Sequence, residues 1–285
     1  MKNMKKLSVF LSTIFAIAIV AASFTSCEDP AGVYKPGKQI SKIYETELGG
    51  AEFLTQEWKW DGKKVSSISY FFAGQVYGKD EFVYDGDRIV KIRDDHGYYA
   101  DYEYNDKQFK TIKYYGPGSV PLAKVEFQYE GNKISVITLT QFEVDKNLTG
   151  MIERGFMGKL LPKEGMKVVS EKLDNQSKEV IVTTLSYEGE NISALTTAGF
   201  LFTYSEYDTY SNVWYNFFPF SSYDAEVNSR VFSKNNPGKI TNKFGEITIT
   251  TSYIYTYDGN YPVTIKEKST HMGTDIETTT RIVYN

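Results

Sequence analysis

The sequence has one cysteine, two histidines and eight prolines in 285 residues. The single cysteine, Cys27, has no partner for an intramolecular disulfide. Two histidines and one thiol do not supply a zinc site of the familiar ligand spacing. His96 and His271 both stand in segments rich in Asp, Gly, Ser and Thr, and we interpret them as turn residues rather than catalytic bases. The sequence therefore predicts no metal site and no cofactor.

Sequence motifs of the common enzyme classes are missing as well. There is no Gly-x-Ser-x-Gly, no phosphate-binding loop and no dinucleotide fingerprint. Asp85-Gly86-Asp87 and Asp258-Gly259-Asn260 lack the ligand series and the closing Glu of a calcium loop, so we interpret both as turns. The sequence predicts a protein without catalytic activity. A carbohydrate hydrolase that uses two loop carboxylates is the alternative, because 36 acidic residues supply many candidate pairs.

The charge balance argues against a nucleic-acid partner. Residues 1–26 contain three lysines and no acidic residue, so the rest of the chain has 29 basic and 36 acidic residues. No basic patch of the kind that binds phosphates is evident in the sequence.

The first 26 residues have the pattern of a secretory signal peptide. Lys2, Lys5 and Lys6 precede Leu7–Ala22, an apolar run that only Ser and Thr interrupt. Small residues follow, as they do ahead of a cleavage site. A retained N-terminal anchor helix is the alternative, but the run is short for a membrane span.

Cys27 follows Thr25 and Ser26 at the predicted cleavage site, which resembles the lipobox of bacterial lipoproteins. The resemblance implies that Cys27 carries lipid and anchors the protein in the outer membrane, since several acyl chains bind a bilayer firmly. Glu28 and Asp29 resemble the surface-export signal of Bacteroides-group lipoproteins; the alternative is a solvated linker over residues 27–38. Location on the cell surface or on the periplasmic side stays open.

The remaining chain is built on a repeated hairpin. Each copy has an aromatic strand, a turn based on Gly or Asn, a polar residue and a returning aliphatic strand. The copies are Glu57–Ile68, Glu81–Ile92, Asp101–Ile112, Glu126–Ile137, Thr184–Leu195 and, more loosely, Tyr255–Ile265.

One copy, Glu81–Ile92, shows why the repeat is predicted to form a hairpin. Phe82 and Tyr84 are two residues apart and share a strand face, and Gly86 provides the positive φ of a tight turn. Ile89 and Ile92 are three apart, so strict alternation cannot place both on one face. Either both faces of the sheet are covered or each return strand carries a β-bulge. The sequence leaves both explanations open.

Two segments interrupt the repeat. Phe142–Leu161 has apolar residues at helical spacing and predicts a short helix or an irregular excursion. Ser205–Asp224 has poor strand alternation and is rich in aromatic residues, among them Tyr207, Tyr210, Trp214, Tyr215, Phe217, Phe218 and Phe220. These aromatics are the one candidate ligand site, because exposed ring clusters bind sugars and apolar partners. The alternative is that they fill one end of the sheet as core.

The Tyr-Asp-Gly units, such as Tyr84-Asp85-Gly86 and Tyr257-Asp258-Gly259, resemble the tyrosine-aspartate repeats of bacterial surface and toxin proteins. With the lipobox, the aromatic stretch Trp214–Phe220, the segment Asn236–Ile240 and the strand Tyr261–Ile265, the chain resembles an uncharacterised lipoprotein family of the Bacteroides group. The resemblance implies an all-β fold: a long antiparallel meander of hairpins, curled into one open, barrel-like sheet with one or two short helical excursions. It supplies no catalytic residues.

We expect a single β-domain over residues 39–285. The predicted function is that of a lipid-anchored cell-envelope protein that binds a glycan or a partner protein, or serves as a surface scaffold. A periplasmic carrier that holds a lipid on the concave face of the sheet is a further alternative to the hydrolase.

Overall fold

A computed structural model describes residues 30–47, 50–142, 180–197, 199–217, 229–271 and 274–285. The chain divides into Met1–Pro30 and Ala31–Asn285, and the second unit contains the β-structure. The predicted signal peptide, Cys27 and residues 143–161 of the predicted helical excursion lie outside the described residues.

The described residues form sixteen antiparallel strands and two short 3-10 turns, Pro117–Ser119 and Ser229–Phe232. The strands are β1 Ile40–Glu47, β2 Phe53–Asp61, β3 Lys64–Phe72, β4 Gln75–Asp85, β5 Arg88–Asp94, β6 Tyr99–Asn105, β7 Gln108–Gly116, β8 Val120–Glu130, β9 Lys133–Gln141, β10 Val180–Glu188, β11 Asn191–Thr197, β12 Phe200–Ser205, β13 Lys239–Phe244, β14 Ile247–Asp258, β15 Tyr261–His271 and β16 Thr274–Tyr284.

Each strand pairs with its neighbours in sequence order, and β1 pairs with β16, so the meander closes into a barrel. The closing pair runs from Ile40 opposite Tyr284 to Glu47 opposite Thr278. The all-β meander is therefore confirmed, but the expectation of an open sheet is wrong. Closure satisfies the backbone groups that two open edges would leave unpaired.

The interior of the barrel is mainly apolar and its outer face carries charges. On β10, Ile181, Thr183 and Leu185 point inward and are buried, while Val180 and Val182 point outward and are exposed. The inward residues join one continuous hydrophobic core.

Oppositely charged side chains pair across the outside of the barrel. Lys91 lies 2.9 Å from Asp101, and Lys124 lies 2.7 Å from Glu126. On β15 and β16, Lys268 lies 2.9 Å from Glu277. Because pairs of this kind are solvent-exposed, they add little stability, but they give much of the outer surface a polar character.

A β-bulge in each return strand explains the three-residue spacing of the aliphatic residues. Val83 pairs with Lys91 and Tyr84 pairs with Ile89, so Val90 is an extra residue on β5. Ile89 and Ile92 consequently both point inward, with 2% and 3% of their surfaces exposed. The same register shift occurs beside Trp60, Tyr104, Tyr129, Tyr187 and Tyr257. Of the two explanations that the sequence left open, the structure has the bulge.

The tight turns of the repeated hairpins lie together at one end of the barrel, which we call the tight-turn end. They are residues 62–63, 86–87, 106–107, 131–132, 189–190 and 259–260. Gly86 has a φ of 55° in its turn, and Asp106 has a φ of 52° in the copy that lacks glycine. The left-handed region that these turns require was predicted for both.

Aromatic side chains join several neighbouring hairpins around the barrel. The Tyr84 hydroxyl donates to the Val65 carbonyl at 2.9 Å, and the Tyr104 hydroxyl donates to the Ile89 carbonyl at 2.5 Å. The indole of Trp60 donates to the Ile40 carbonyl in the same manner. The repeated aromatic therefore satisfies a carbonyl beside the bulge of the preceding hairpin, which gives it a structural role.

Candidate functional site

Two irregular segments close the tight-turn end of the barrel, and we call them together the plug. The first is residues 31–39, and the second is the described part of the β12–β13 connection, residues 206–217 and 229–238. Their contact is direct: the hydroxyl of Tyr34 donates to the Val213 carbonyl at 2.7 Å. Burial raises the pKa of Tyr34 well above its ordinary value, so the phenol stays neutral and acts as a donor.

The first plug segment is fixed to the barrel at several points. The Ala31 amide donates to the Lys107 carbonyl, and the Gly32 carbonyl accepts from the Ile89 amide. Lys35 forms an ion pair with Asp87 at 2.6 Å. The linker predicted over residues 27–38 thus contains residues that pack against the barrel, with Tyr34 buried in its core.

The predicted aromatic site divides into buried and partly exposed members. Trp214 is 6% exposed and Phe217 is fully buried, while Tyr207 and Tyr215 are half-buried and Tyr210 is 39% exposed. Phe218 and Phe220 lie outside the described residues. The binding role expected of these seven residues stays a prediction.

Phe217 occupies the centre of an aromatic cluster where the plug meets the barrel. Its ring centroid lies 4.4 Å from that of Tyr34, 5.0 Å from that of Trp58 and 6.1 Å from that of Phe82. These rings come from both plug segments and from strands β2 and β4. Phe217 therefore holds the plug in the barrel by apolar packing.

Tyr210, the most exposed of the described members, lies beside Asp208. The Asp208 carboxylate accepts hydrogen bonds from the Tyr257 hydroxyl, the Asn236 amide side chain and the Tyr210 backbone amide. The Tyr210 ring stacks on Tyr257 with a centroid separation of 4.0 Å. Asp208 orders this part of the plug, and one ring of the stack, Tyr210, is open to solvent.

Arg230 is the charged residue of the plug that reaches furthest into the barrel core. It lies on the 3-10 turn Ser229–Phe232, and its guanidinium is 3.7 Å from the Glu267 carboxylate on β15. The same guanidinium lies over Tyr253 at 4.6 Å and over Trp214 at 5.5 Å from the ring centroids. An ion pair between two aromatic faces therefore stands at the inner surface of the plug.

Four residues of this arrangement were not predicted from the sequence: Tyr34, Trp58, Arg230 and Glu267. Trp58 and Glu267 belong to ordinary strands, where alternation gives the face but not the partner. Tyr34 stands between prolines in a segment with linker composition. Arg230 follows the aromatic stretch without any motif around it, so no local signal marks it.

The described part of the chain contains no group of three or more His, Cys, Asp or Glu side chains placed to hold a metal ion. Among the described residues no helix has the length and the apolar composition needed to cross a membrane. His96 lies in a turn, where its backbone amide donates to the Asp94 carboxylate at 2.9 Å.

Comparison with known proteins gives a structural likeness only. No family model matches the sequence. No curated protein matches it either. A porin-like protein from Bacteroides uniformis has a similar fold, with a TM-score of 0.51 and 14% identity over 86% of this chain and 98% of the other. A porin-like protein from Bacteroides vulgatus aligns over 87% of this chain and 99% of the other, with 10% identity and a TM-score of 0.32. The first likeness shows that this chain has the fold of a large β-barrel.

Proposed function

We propose that the protein is a lipid-anchored, non-catalytic component of the cell envelope whose barrel lies outside the bilayer and binds a glycan or a partner protein. The lipid is attached to Cys27. The observation that carries the proposal is the polarity of the barrel, which has an apolar interior and many charged residues on its outer face.

This polarity is the reverse of what a bilayer demands. A barrel that crosses a membrane has an apolar outer band and, in a channel, a polar lumen. Here ion pairs such as Lys91–Asp101 and Lys266–Glu277 lie on the outward faces of strands. Placing them against lipid would expose paired charges to hydrocarbon, which is unfavourable at the bilayer centre. The lipid on Cys27 is then needed to keep the barrel at the membrane.

The apolar cluster of the interior and the closed tight-turn end also argue against conduction. Large side chains from opposite parts of the sheet, including Phe202, Leu139 and Ile68, belong to one buried cluster. The plug closes the tight-turn end through the Phe217 cluster. A water-filled path along the barrel axis would require that cluster to separate.

The binding part of the proposal is supported by two surfaces. Val180, Val182 and Leu201 are exposed apolar side chains on the outer face, where they suit a protein partner. At the plug, the exposed ring of Tyr210 beside Asp208 suits a sugar, because a ring face and hydrogen-bonding groups lie together.

Anchoring is tested by fractionating cells that produce the full-length protein or its Cys27→Ser variant. We expect the wild type to incorporate radiolabelled palmitate and to resist extraction of membranes with alkaline carbonate. A second variant replaces residues 1–27 with an ordinary cleavable secretory signal, since Cys27→Ser alone can block processing of the precursor. This form should appear in the soluble fraction with an unchanged β-sheet circular dichroism spectrum.

Retention of the unlipidated form in carbonate-washed membranes would mean that the barrel itself inserts, and the proposal would fall. If the wild type did not incorporate palmitate, the proposed lipid anchor at Cys27 would be wrong. The binding part is tested by a glycan array and by cross-linking on intact cells, and it is lost if both give no specific signal.

A further inference from the structure

Buried polar side chains are more frequent on one side of the barrel interior than on the other. We call this set the polar stripe. It consists of Asn242, Thr251, Ser269, Glu267, Thr278, Glu45, Gln56, Tyr70 and Asp80, which belong to strands β13 to β16 and β1 to β4. The opposite wall, on β8 to β12, is lined by residues such as Val125, Ile137, Leu195 and Phe202.

Strand pairing places the first part of the polar stripe side by side. Thr251 is directly opposite Ser269, and Glu267 is directly opposite Thr278. Asn242 pairs with Ile249, two residues before Thr251, so it lies diagonally beside Thr251. Directly opposed residues on antiparallel strands share one face, with their Cβ atoms roughly 4.5–5.5 Å apart.

The second part continues across the closing strand pair. Glu45 faces Thr280, and Gln56 lies opposite both Ile43 and Tyr70. The Tyr70 hydroxyl donates to the Asp80 carboxylate at 2.9 Å. The stripe is therefore continuous from β13 to β4 across the junction of the first and last strands.

Fold stability does not require this composition. On the other wall of the same barrel the inward residues are mainly aliphatic and aromatic, and the buried polar pair Thr183 and Thr197 is satisfied by a mutual hydrogen bond. A buried polar group lowers stability unless it has a hydrogen-bond partner. Asn242 is 7% exposed, and in the described part of the chain its side-chain oxygen accepts no hydrogen bond. Asn242 pairs with the buried Ile249 and so lies on the inward face of β13, where its amide group is buried and its oxygen lacks a donor from the described residues.

Solvent reaches the polar stripe on β15 and β16, while its other members are buried. The Glu267 side chain points inward, opposite the buried Tyr253, and yet 21% of its surface is exposed. Thr278 and Thr280 are also half-exposed although they pair with inward residues. The interior is consequently open beside these residues rather than packed shut.

The inner surface of the plug borders the same space. Arg230 lies 3.7 Å from Glu267, and its guanidinium covers the rings of Trp214 and Tyr253. The space therefore has an indole, a guanidinium, carboxylates, amides and hydroxyls at its boundary. Hydroxyl-rich ligands use this mixture of donors, acceptors and ring faces.

We propose that the polar stripe is an interior binding site for a small neutral sugar, with the side-chain amide of Asn242 as a hydrogen-bonding partner of a sugar hydroxyl. The proposal deepens the proposed function and rests on it for the class of ligand, a glycan. A metal cation is less well matched, since no three acidic side chains of the described residues come together. An anionic sugar would meet the carboxylates of Glu45, Glu267 and Asp80.

The test is saturation-transfer NMR on the detergent-solubilised full-length protein. The probes are glucose, galactose, mannose, N-acetylglucosamine and their common disaccharides. We expect at least one of these sugars to receive saturation, and we expect Asn242→Leu to weaken its Kd about tenfold or more, the loss of a buried hydrogen bond. The melting temperature of Asn242→Leu should be unchanged or higher, because the substitution removes an unpartnered polar atom.

Thr251→Val is the second inward variant, and it replaces Asn242→Leu if that variant fails to fold. Ser252→Ala is the matched control, since Ser252 is the next residue of the same strand and is exposed. Sugar binding should weaken in Thr251→Val and stay unchanged in Ser252→Ala. The proposal is overturned if no probe receives saturation, or if the inward variants bind as tightly as the wild type. Either result leaves the membrane-anchoring test of the proposed function unaffected.

Discussion

The hydroxyl of Tyr84 donates a hydrogen bond to the backbone carbonyl of Val65, 2.9 Å away on the preceding hairpin. Val65 is the residue that pairs with Trp60, directly beside a β-bulge. The aromatic of one repeat therefore stabilises the irregular backbone of the repeat before it. The repeated aromatic residue, which is the most recognisable feature of the sequence, therefore joins neighbouring hairpins.

Replacing Tyr84 with Phe tests how much this hydrogen bond contributes to stability. The ring stays, and only the hydrogen bond to Val65 is lost, so the free energy of unfolding should fall by about 1 kcal/mol. Tyr115→Phe is the control, because Tyr115 points outward and stacks on Tyr99. Equal stability of the two variants in urea titrations would show that the Tyr84 hydrogen bond contributes nothing.

Two glycine substitutions separate turn strain from docking of the first plug segment. Gly86 has a φ of 55° and open space around the added methyl, so Gly86→Ala should cost about 1–2 kcal/mol of backbone strain. Gly32 has a φ of 78°, and an added Cβ would lie 2.0 Å from the Tyr104 hydroxyl. Gly32→Ala should therefore be the more destabilising in thermal unfolding. The reverse order would mean that residues 31–39 do not pack as observed.

Phe217→Ala tests whether the plug is part of the core. The side chain is fully buried against Tyr34 and Trp58, so its removal should lower the free energy of unfolding by about 3–5 kcal/mol. Phe72→Ala is the matched control, because Phe72 is 75% exposed and its truncation should have little effect. A small loss of unfolding free energy in Phe217→Ala would contradict the packing of Phe217 between the plug and the barrel.

The pair of Arg230 and Glu267 should show strong coupling. Glu267→Gln leaves a buried guanidinium without its carboxylate, and we expect a loss of roughly 3 kcal/mol or more, as for other broken buried ion pairs. Arg230→Met should be destabilising as well, while the double variant should lose less than the sum of the two. Additive losses in a double-mutant cycle would show that the two charges do not interact.

Stability should fall at alkaline pH because of the hairpin-linking tyrosines. Burial raises the pKa of Tyr84, Tyr104 and Tyr284 above their ordinary value of about 10. The unfolded chain loses these protons first, so the stability present below about pH 10 is lost as the pH rises toward the folded pKa values. Tyrosinate absorbance should therefore increase together with loss of the β-sheet circular dichroism signal. Titration of all 23 tyrosines near pH 10 in a folded protein would contradict this.

The sequence by itself determined the hairpin unit. The left-handed turn residues, the aromatic pair and the aliphatic residues three apart all act within about twelve residues, so local geometry decides them. The three-residue spacing of Ile89 and Ile92 left two explanations for the return strand, and one of them is the β-bulge that the structure shows. The irregular character of residues 206–217 was also evident from their poor alternation.

Only the tertiary structure decided whether the sheet closes and what lies inside it. Closure depends on the pairing of β1 with β16, which are at opposite ends of the chain, and on the accumulated twist and stagger of every strand between them. No short segment of the sequence determines this accumulated twist and stagger. For the same reason the burial of Tyr34, the position of Phe217 and the pairing of Arg230 with Glu267 follow from elements that are distant in sequence and meet only when the barrel is complete.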